Sequence, residues 1–307
     1  MQSSNLDIRW VRLEGGPFSM GSNDFYPEER PRHQRTVAPF EIAETPITNR
    51  QFSTFVHETG HVTIAELSLS ETDYPTLSAE QRAAGSLVFT PTAGPVNLQD
   101  WRQWWRWQPG AYWQAPQGPG TNLKGLEDHP VVHVAYEDAV AFATWAGARL
   151  LTEPEHEFAS QGATEGSSYP WGNERDPDGV IQANTWRGKF PYDNQGSLGW
   201  KGTSPVRTFP ANNFGLFDCI GNVWEWTSTE YTADHRHIGA DTTQETTAPC
   251  QCSPQNQRSR VEKPKVLKGG SHLCAPEYCH RYRPAARTSQ TTDSSSSHIG
   301  FRIARDV

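Results

Sequence analysis

The strongest chemical signal in this sequence is a pair of cysteines near the C-terminal end of the chain. Cys274 and Cys279 are separated by four residues, and the chain contains only five cysteines. Thiolates are soft, nucleophilic and redox-active, so a close pair can form a disulfide, hold a metal ion or act as a catalytic couple. The residue types alone leave these three alternatives open. Pro276 disfavours a continuous helix between the cysteines, which predicts a loop that turns both sulfurs toward one point.

Short elements must position this loop, because Gly and Pro are frequent throughout the chain. The sequence contains 25 Gly and 23 Pro, so helices and strands are expected to be short and loops long. Apolar spacing, capping residues and terminal glycines predict three helices, from Thr48 to Gly60, from Ala139 to Gly147 and from Thr152 to Gly162. Short strands are predicted at Asp7–Leu13, Phe40–Ala43, Val266–Lys268 and Gly300–Ile303.

The composition is that of a globular protein whose length of 307 residues allows a substantial core. A net charge of -8 argues against a general nucleic-acid-binding protein, since such binding depends on Lys and Arg at the phosphates. No stretch approaches the roughly 18 apolar residues of a membrane span, and the first residues lack a secretory signal. Five cysteines are too few for a disulfide scaffold. We therefore expect a cytoplasmic monomer that binds neither nucleic acid nor membrane. We also expect one domain over residues 1–307, because no linker separates two hydrophobic sets.

A loop-rich stretch between Glu66 and Gly125 is unusually rich in tryptophan. It contains Trp101, Trp104, Trp105, Trp107 and Trp113. Because this many indole side chains are not expected to remain exposed to water, we expect this stretch to be ordered. Two interpretations remain open: the rings pack a core beneath the loops, or some of them line a groove for an extended peptide.

Several phrases, read in order along the chain, point to one family. They include Gly15 to Gly21 (GGPFSMG), Trp145 to Glu153 (WAGARLLTE), Tyr169 to Glu174 (YPWGNE), Gly215 to Thr227 (GLFDCIGNVWEWT) and Gly300 to Arg302 (GFR). The segment from Gly269 to Arg283, GGSHLCAPEYCHRYR, carries the cysteine pair. Together they resemble the formylglycine-generating enzyme (sulfatase-modifying factor) family over nearly the whole chain.

The resemblance implies an α+β fold with low regular secondary-structure content, related to C-type-lectin-like domains. It implies oxidation of a cysteine to Cα-formylglycine within a Cys-x-Pro-x-Arg segment of an unfolded sulfatase polypeptide. Copper(I) is then the cofactor, O2 the co-substrate and a thiol the reductant. The fold also houses silent paralogues, which lack the cysteine pair, so function must be argued from the site. The alternatives are the same chemistry on another peptide or thiol client, and a non-catalytic binding module.

Carried onto this chain, the resemblance and the aromatic stretch predict a set of site residues. Predicted catalytic residues are Cys274, Cys279, Ser271, Trp224 and Tyr278, and predicted substrate-binding residues are Trp104, Trp105, His298 and Arg287. Both cysteines are the predicted copper ligands, because soft thiolates suit copper(I) and a two-thiolate site leaves room for the substrate thiolate. Core packing for Trp224 and a structural ion pair for Arg287 are equally good interpretations. His298 stands where the family usually has Asn, and histidine can also titrate or bind metal.

Calcium is the second metal that the resemblance implies, in a structural role. The first predicted site joins two carboxylates and two backbone carbonyls, from Asp218, Glu225, Gly221 and Val223. Such hard oxygen ligands suit calcium, although turn capping and a surface ion pair are the alternative for the two carboxylates. The second site would use Asn184 with the carbonyls of Thr185 and Trp200. Leu198 stands there in place of the acidic side chain of the family.

Overall fold

The computed structural model of this chain describes residues 6–72, 74–237 and 263–307. Cys250 and Cys252, for which the sequence indicates a structural or incidental role, lie outside the described residues. Within the described ranges, no helix has the length and apolar character needed to cross a membrane.

The regular elements are short and are separated by long irregular segments. The three α-helices contain 11, 10 and 9 residues. They are α1 Asn49–Thr59, α2 Tyr136–Trp145 and α3 Glu153–Gln161. The strands are β1 Trp10–Leu13, β2 Gly16–Met20, β3 His33–Val37, β4 Phe40–Ala43, β5 Gly85–Phe89, β6 Trp105–Pro109, β7 Arg149–Leu150, β8 Gly188–Lys189, β9 Asp193–Asn194, β10 Trp224–Glu230, β11 Lys265–Lys268, β12 Arg287–Gln290, β13 Ile299–Phe301 and β14 Ile303–Asp306. This mixed architecture, with little regular structure, confirms the predicted fold class.

All three predicted helices are present, although α2 begins at Tyr136, three residues before its predicted start at Ala139. Local hydrogen bonds set the starts of α1 and α3. At the start of α1, the Thr48 hydroxyl accepts from the Gln51 N–H, and the Gln51 side chain accepts from the Thr48 N–H at 2.9 Å. α1 ends at Gly60, whose φ of 68° is left-handed. The same reciprocal cap, formed by Thr152 and Glu155, opens α3. Caps of this kind satisfy N–H groups that the helix itself leaves without partners.

Two four-stranded sheets form the framework. The first sheet has the order β1-β4-β14-β7 and is antiparallel throughout. The second sheet has the order β12-β11-β10-β13, in which only the β10–β13 pair is parallel. The cysteine-bearing loop leaves the second sheet directly after β11.

One strand prediction was wrong in a way that shows how the sheets are joined. The sequence predicts a single strand over Gly300–Ile303, whereas the structure has β13 ending at Phe301 in the second sheet and β14 beginning at Ile303 in the first. Arg302 lies between them, and its side chain is buried. The alternating pattern identifies an extended segment, but it does not show that the chain changes sheets within it.

The main core lies between α1, α2 and the sheets and is rich in aromatic rings. Phe52 packs edge-to-face on Trp113 at 5.2 Å and is stacked with Phe142 at 5.9 Å between ring centroids. A smaller cluster packs under the cysteine loop and contains Trp104, Trp186, Phe190, Leu273 and Ala275. Trp113 belongs to the main core, as the packing interpretation of the tryptophan-rich stretch predicts, whereas the buried Trp104 also borders a cavity.

Candidate active site

Two consecutive glycines start the loop that carries the cysteine pair. Gly269 and Gly270 have φ values of 90° and 74°, which side chains other than glycine rarely adopt. A Cβ at Gly270 would lie 2.6 Å from the carbonyl oxygen of Arg281, so the returning chain packs directly against this glycine. The sharp turn out of β11 and the close return of residues 281–282 place both cysteines on one short loop.

The two thiols lie side by side. The Sγ atoms of Cys274 and Cys279 are 2.9 Å apart, and both cysteines are free. The loop between them turns around Pro276, and the N–H of Cys279 donates to the carbonyl of Ala275 at 2.6 Å. The Ser271 N–H donates to the Cys274 sulfur at 3.5 Å. Cys274 is buried, whereas Cys279 is half-buried, so Cys279 is the more accessible sulfur.

Hydrogen bonding divides the two thiols into a donor and an acceptor. The hydrogen bond from Cys274 is the main influence that lowers the pKa of Cys279, and the nearby Arg281 guanidinium lowers it further. Burial, together with the hydrogen bond to Cys279 and its charge, raises the pKa of Cys274. The pair therefore favours a single negative charge on Cys279, with the remaining proton on Cys274.

A cavity of about 630 Å³ opens beside the cysteine pair. It brings together most of the predicted catalytic and substrate-binding residues, which are Cys274, Cys279, Ser271, Trp224, Tyr278, Trp104, Trp105 and His298. Residues that are nearly two hundred positions apart in the sequence thus share one cavity. Most of its wall is aromatic or aliphatic, so a bound group would be largely removed from water.

Tyr278 is held in position by aromatic rings. Its ring stacks on Phe190 with centroids 4.6 Å apart and meets Trp104 edge-to-face at 5.1 Å. Burial raises the pKa of Tyr278 to about 12, so its hydroxyl stays protonated and can donate a hydrogen bond. The buried Ser271 hydroxyl accepts from the N–H of Leu273 at 3.3 Å, which makes it part of the loop's own turn.

His298 lines the same cavity as the cysteine pair. Its ring lies 4.7 Å from that of Trp105, and its Nδ1 is 2.9 Å from the Ser296 hydroxyl. Burial, with smaller contributions from His272 and His133, lowers the pKa of His298 to about 3. This side chain is therefore a neutral imidazole at ordinary pH, and it can donate or accept a hydrogen bond as an amide does.

Arg287 does not reach the cavity, contrary to its prediction as a substrate-binding residue. Its guanidinium is fully buried and makes a two-pronged ion pair with Glu153, at 2.6 and 2.9 Å. It also donates to the carbonyl of Thr232 at 2.7 Å. A substrate could not contact this side chain without breaking the pair, so the alternative, a structural ion pair, describes Arg287.

The carboxylates of the first predicted calcium site have other partners. Both oxygens of the buried Glu225 accept from Arg302, and one of them also lies 3.0 Å from His156 Nε2. Asp218 accepts from the Arg207 N–H at 2.9 Å, and burial raises the pKa of Asp218 to about 6. Within the described ranges, no group of three or more His, Cys, Asp or Glu side chains is arranged so that it could hold a metal ion. This arrangement of Glu225 does not fit a calcium ligand, because Arg302 neutralises its charge.

The second predicted calcium site fits a cation better. The Asn184 Oδ1 oxygen is buried and has no hydrogen-bond partner, whereas its amide nitrogen donates to the carbonyl of Gly202 at 3.0 Å. A buried oxygen without a partner is costly unless a cation or a water satisfies it. The carbonyls of Thr185 and Trp200 both accept from Ser197, so they are only partly available.

Sequence reasoning missed several residues of the cavity. Arg281 borders it, lies 3.8 Å from the centre of the Tyr26 ring and pairs with Glu28 at 2.7 Å. Its position two residues after Cys279 was a signal that could have identified it, whereas nothing in the sequence indicates Glu28. Polar residues of β12, from Thr288 to Gln290, also line the cavity and were not predicted.

Comparisons with known proteins identify the family of the chain. The family model "Sulfatase-modifying factor enzyme 1-like domain" matches residues 4–307. The chain is 53% identical to the formylglycine-generating enzyme of Mycobacterium tuberculosis over 298 residues, covering 96% of this chain and 97% of that protein. It is also 37% identical to a mouse protein named inactive C-alpha-formylglycine-generating enzyme 2, covering 97% of this chain and 86% of the relative.

A solved structure supports the fold independently. PvdO from Pseudomonas aeruginosa superposes with a TM-score of 0.63 at 23% identity, covering 97% of this chain and 94% of that one. At this identity the likeness concerns the fold alone. The full-length family match and the identity to the curated relatives together show that the chain belongs to the formylglycine-generating enzyme (sulfatase-modifying factor) family.

Proposed function

We propose that this protein oxidises a cysteine of an unfolded sulfatase polypeptide, within a Cys-x-Pro-x-Arg segment, to Cα-formylglycine. The observation that carries the proposal is the pair of free thiols, 2.9 Å apart, at the wall of a cavity large enough for a peptide side chain and its neighbours. The relative named inactive shows that membership of the family does not by itself imply activity. The cysteine pair therefore has to support the assignment.

Electron balance sets what the reaction needs. Converting a CH2–SH group and a water into an aldehyde and hydrogen sulfide releases two protons and two electrons. Reduction of O2 to two waters takes four electrons, so a thiol reductant must supply the other two and become a disulfide. We therefore include O2 and an external thiol as co-substrates of the proposed reaction.

Copper(I) is the cofactor that we propose, held by Cys274 and Cys279. Two adjacent sulfur donors suit a soft ion, and the hydrogen bond from Cys274 and the charge of Arg281, which lower the pKa of Cys279, favour its thiolate form. Bound there, copper(I) would bind the substrate thiolate and activate oxygen. The protein's own residues would do the rest: Trp104 and Trp224 exclude water, and the protonated Tyr278 hydroxyl donates a hydrogen bond.

The structural calcium ion is proposed at Asn184 rather than at Glu225. The buried Asn184 oxygen has no partner, while Glu225 is neutralised by Arg302. A cytoplasmic monomer remains our proposal for the state in which the protein acts.

The decisive experiment incubates the copper-loaded protein with O2, a thiol reductant and a Cys-x-Pro-x-Arg peptide. Mass spectrometry should show replacement of the thiol by an aldehyde. Cys279→Ser should abolish conversion, because it removes the accessible sulfur, whereas Arg50→Gln, which alters an exposed ion pair with Asp128, serves as a matched control.

Two results would count against the proposal. Conversion that survives Cys279→Ser would refute the role of the pair. Failure of the copper-loaded protein to convert the peptide would favour another client or a non-catalytic binding module.

A further inference from the structure

The outermost strand of the second sheet borders the cavity and has a free edge. β12 pairs with β11 on one side and has no strand on the other among the residues that the structure describes. The helical turn Pro27–Glu29 packs near its first residue, where Arg287 donates to the carbonyl of Glu28. Among the residues that the structure describes, nothing therefore pairs with the edge from Thr288 to Gln290.

The strand register shows which main-chain groups face this open edge. Val266 of β11 lies opposite Ser289 of β12 in an antiparallel pair. The carbonyl of Val266 accepts from the Thr227 hydroxyl of β10 at 2.8 Å, so Val266 directs its main-chain groups toward β10. Opposite residues in an antiparallel pair either face each other or both face away. The N–H and C=O of Ser289 therefore point outward, away from the sheet.

The cavity extends across one face of this sheet and reaches its edge. Each strand contributes to the wall from the same face, through Trp224, Leu267, Thr288, Gln290 and Ile299. The Ser289 side chain points to the opposite face, because side chains alternate along a strand. Ser289 nevertheless lines the cavity. Because Ser289 is also exposed, the cavity reaches the edge of β12 at this residue.

The edge lacks the features that usually prevent strand addition. The side chains of Thr288, Ser289 and Gln290 are polar but uncharged, and Ser289 is exposed. Edge strands are commonly protected by charged side chains, proline or a covering element, and this part of β12 has none of these among the described residues. An exposed and uncharged edge is a template for pairing with an extended chain.

We propose that the polypeptide substrate binds as an extended segment that pairs with β12, with main-chain hydrogen bonds to the N–H and C=O of Ser289. This inference rests on the proposed function for the identity of the partner, an unfolded polypeptide that carries a cysteine. The sheet edge and the cysteine pair border the same cavity, so one segment can pair with β12 while its cysteine reaches Cys279. Recognition through the main chain would tolerate many side chains on either side of the reacting cysteine.

The test measures binding of a Cys-x-Pro-x-Arg peptide in which serine replaces the cysteine, so that no oxidation occurs. Ser289→Pro removes the outward N–H, and proline is tolerated at sheet edges. Losing this one hydrogen bond leaves a peptide carbonyl without its partner, which should weaken binding about five- to thirtyfold. Ser289→Ala is the matched control, because it removes the hydroxyl but keeps the N–H, and it should bind within about twofold of the unaltered protein. Circular dichroism checks that both variants fold.

A second series uses the unaltered protein, so it does not depend on how a variant folds. Single N-methyl groups placed along the peptide each remove one N–H. Weaker binding after methylation at one position, with little effect at the two neighbouring positions, would support strand pairing, because one peptide N–H donates to the carbonyl of Ser289 while its neighbours face away from β12.

Equal binding by all methylated peptides, or equal weakening in Ser289→Ala and Ser289→Pro, would overturn the inference. These results are distinguishable from failure of the proposed function, which is measured separately as conversion of the cysteine peptide. Conversion without sensitivity to methylation would refute strand pairing alone, and sensitivity confined to one position without conversion would refute the oxidase alone.

Discussion

The buried pair of Arg302 and Glu225 offers the sharpest test of how the two sheets are held together. Arg302 lies between β13 and β14, and it binds both oxygens of Glu225 in β10. It also donates to the carbonyls of Ala43 and Phe217 at 3.2 and 2.8 Å. One guanidinium therefore connects the segment that changes sheets with both sheets.

The cost of breaking this pair follows from its burial. Burial alone would raise the pKa of Glu225, but the charges of Arg302 and His156 lower it to about 2. Both members of the pair are about 1% exposed, so solvent screens their interaction little. Glu225→Gln leaves the Arg302 charge buried without its counter-ion, which should cost about 3–5 kcal/mol of unfolding free energy.

Urea unfolding of Glu225→Gln, Arg302→Met and the double variant measures this coupling. The loss of unfolding free energy in the double variant should be smaller, by at least about 1 kcal/mol, than the sum of the losses in the two single variants. The reason is that each single change leaves the other member of the pair buried without this partner. Additive losses, within about 0.5 kcal/mol, would refute the reasoning. The same series with EDTA tests the calcium alternative: the cost of Glu225→Gln should not change, and a cost that disappears in EDTA would make Glu225 a metal ligand.

Three further predictions concern titratable groups. Iodoacetamide should modify Cys279 faster than Cys274 in the metal-free protein, because hydrogen bonding lowers the pKa of Cys279. Equal rates of modification at the two cysteines, measured by peptide mapping, would contradict this prediction. His298→Asn should leave the shape of the pH profile of conversion unchanged between about pH 6 and 9, since a pKa of about 3 keeps His298 neutral there. A shift in the pH at which the conversion rate rises or falls would contradict this prediction. Burial raises the pKa of Asp218 to about 6, so the fold binds this proton more tightly than the unfolded chain. Stability relative to Asp218→Asn should therefore fall, by up to about 3 kcal/mol, as pH rises from about 4 to 6, and a constant difference in urea unfolding would disprove it.

Local features were predictable from the sequence because they depend on near neighbours. The caps at Thr48 and Thr152 involve residues three positions away, and both appear where the sequence predicts them. The loop with Cys274 and Cys279 closes over five positions around Pro276, so the proximity of the two sulfurs is also a local property. The family resemblance then predicted most of the residues that border the cavity.

Charged residues show where sequence reasoning fails. Arg287 lies close in sequence to the cysteine pair and carries the charge expected of a substrate-binding group. Its partner Glu153, which is 134 positions away, holds it in the interior. Glu225 is similarly neutralised by Arg302, which is 77 positions away. Residue type shows that a charge is present, but only the partner shows whether that charge is available to a ligand.

The sequence by itself therefore determined the helix ends, the turn that brings Cys274 and Cys279 together, and the family. Only the tertiary structure decided that four strands form one wall of the cavity, that His298 lines this cavity as a neutral ring, and that the edge of β12 is open among the described residues. The physical reason is the range of the interactions. Caps and turns are formed by residues a few positions apart, whereas cavity walls, buried ion pairs and free strand edges depend on how distant segments pack.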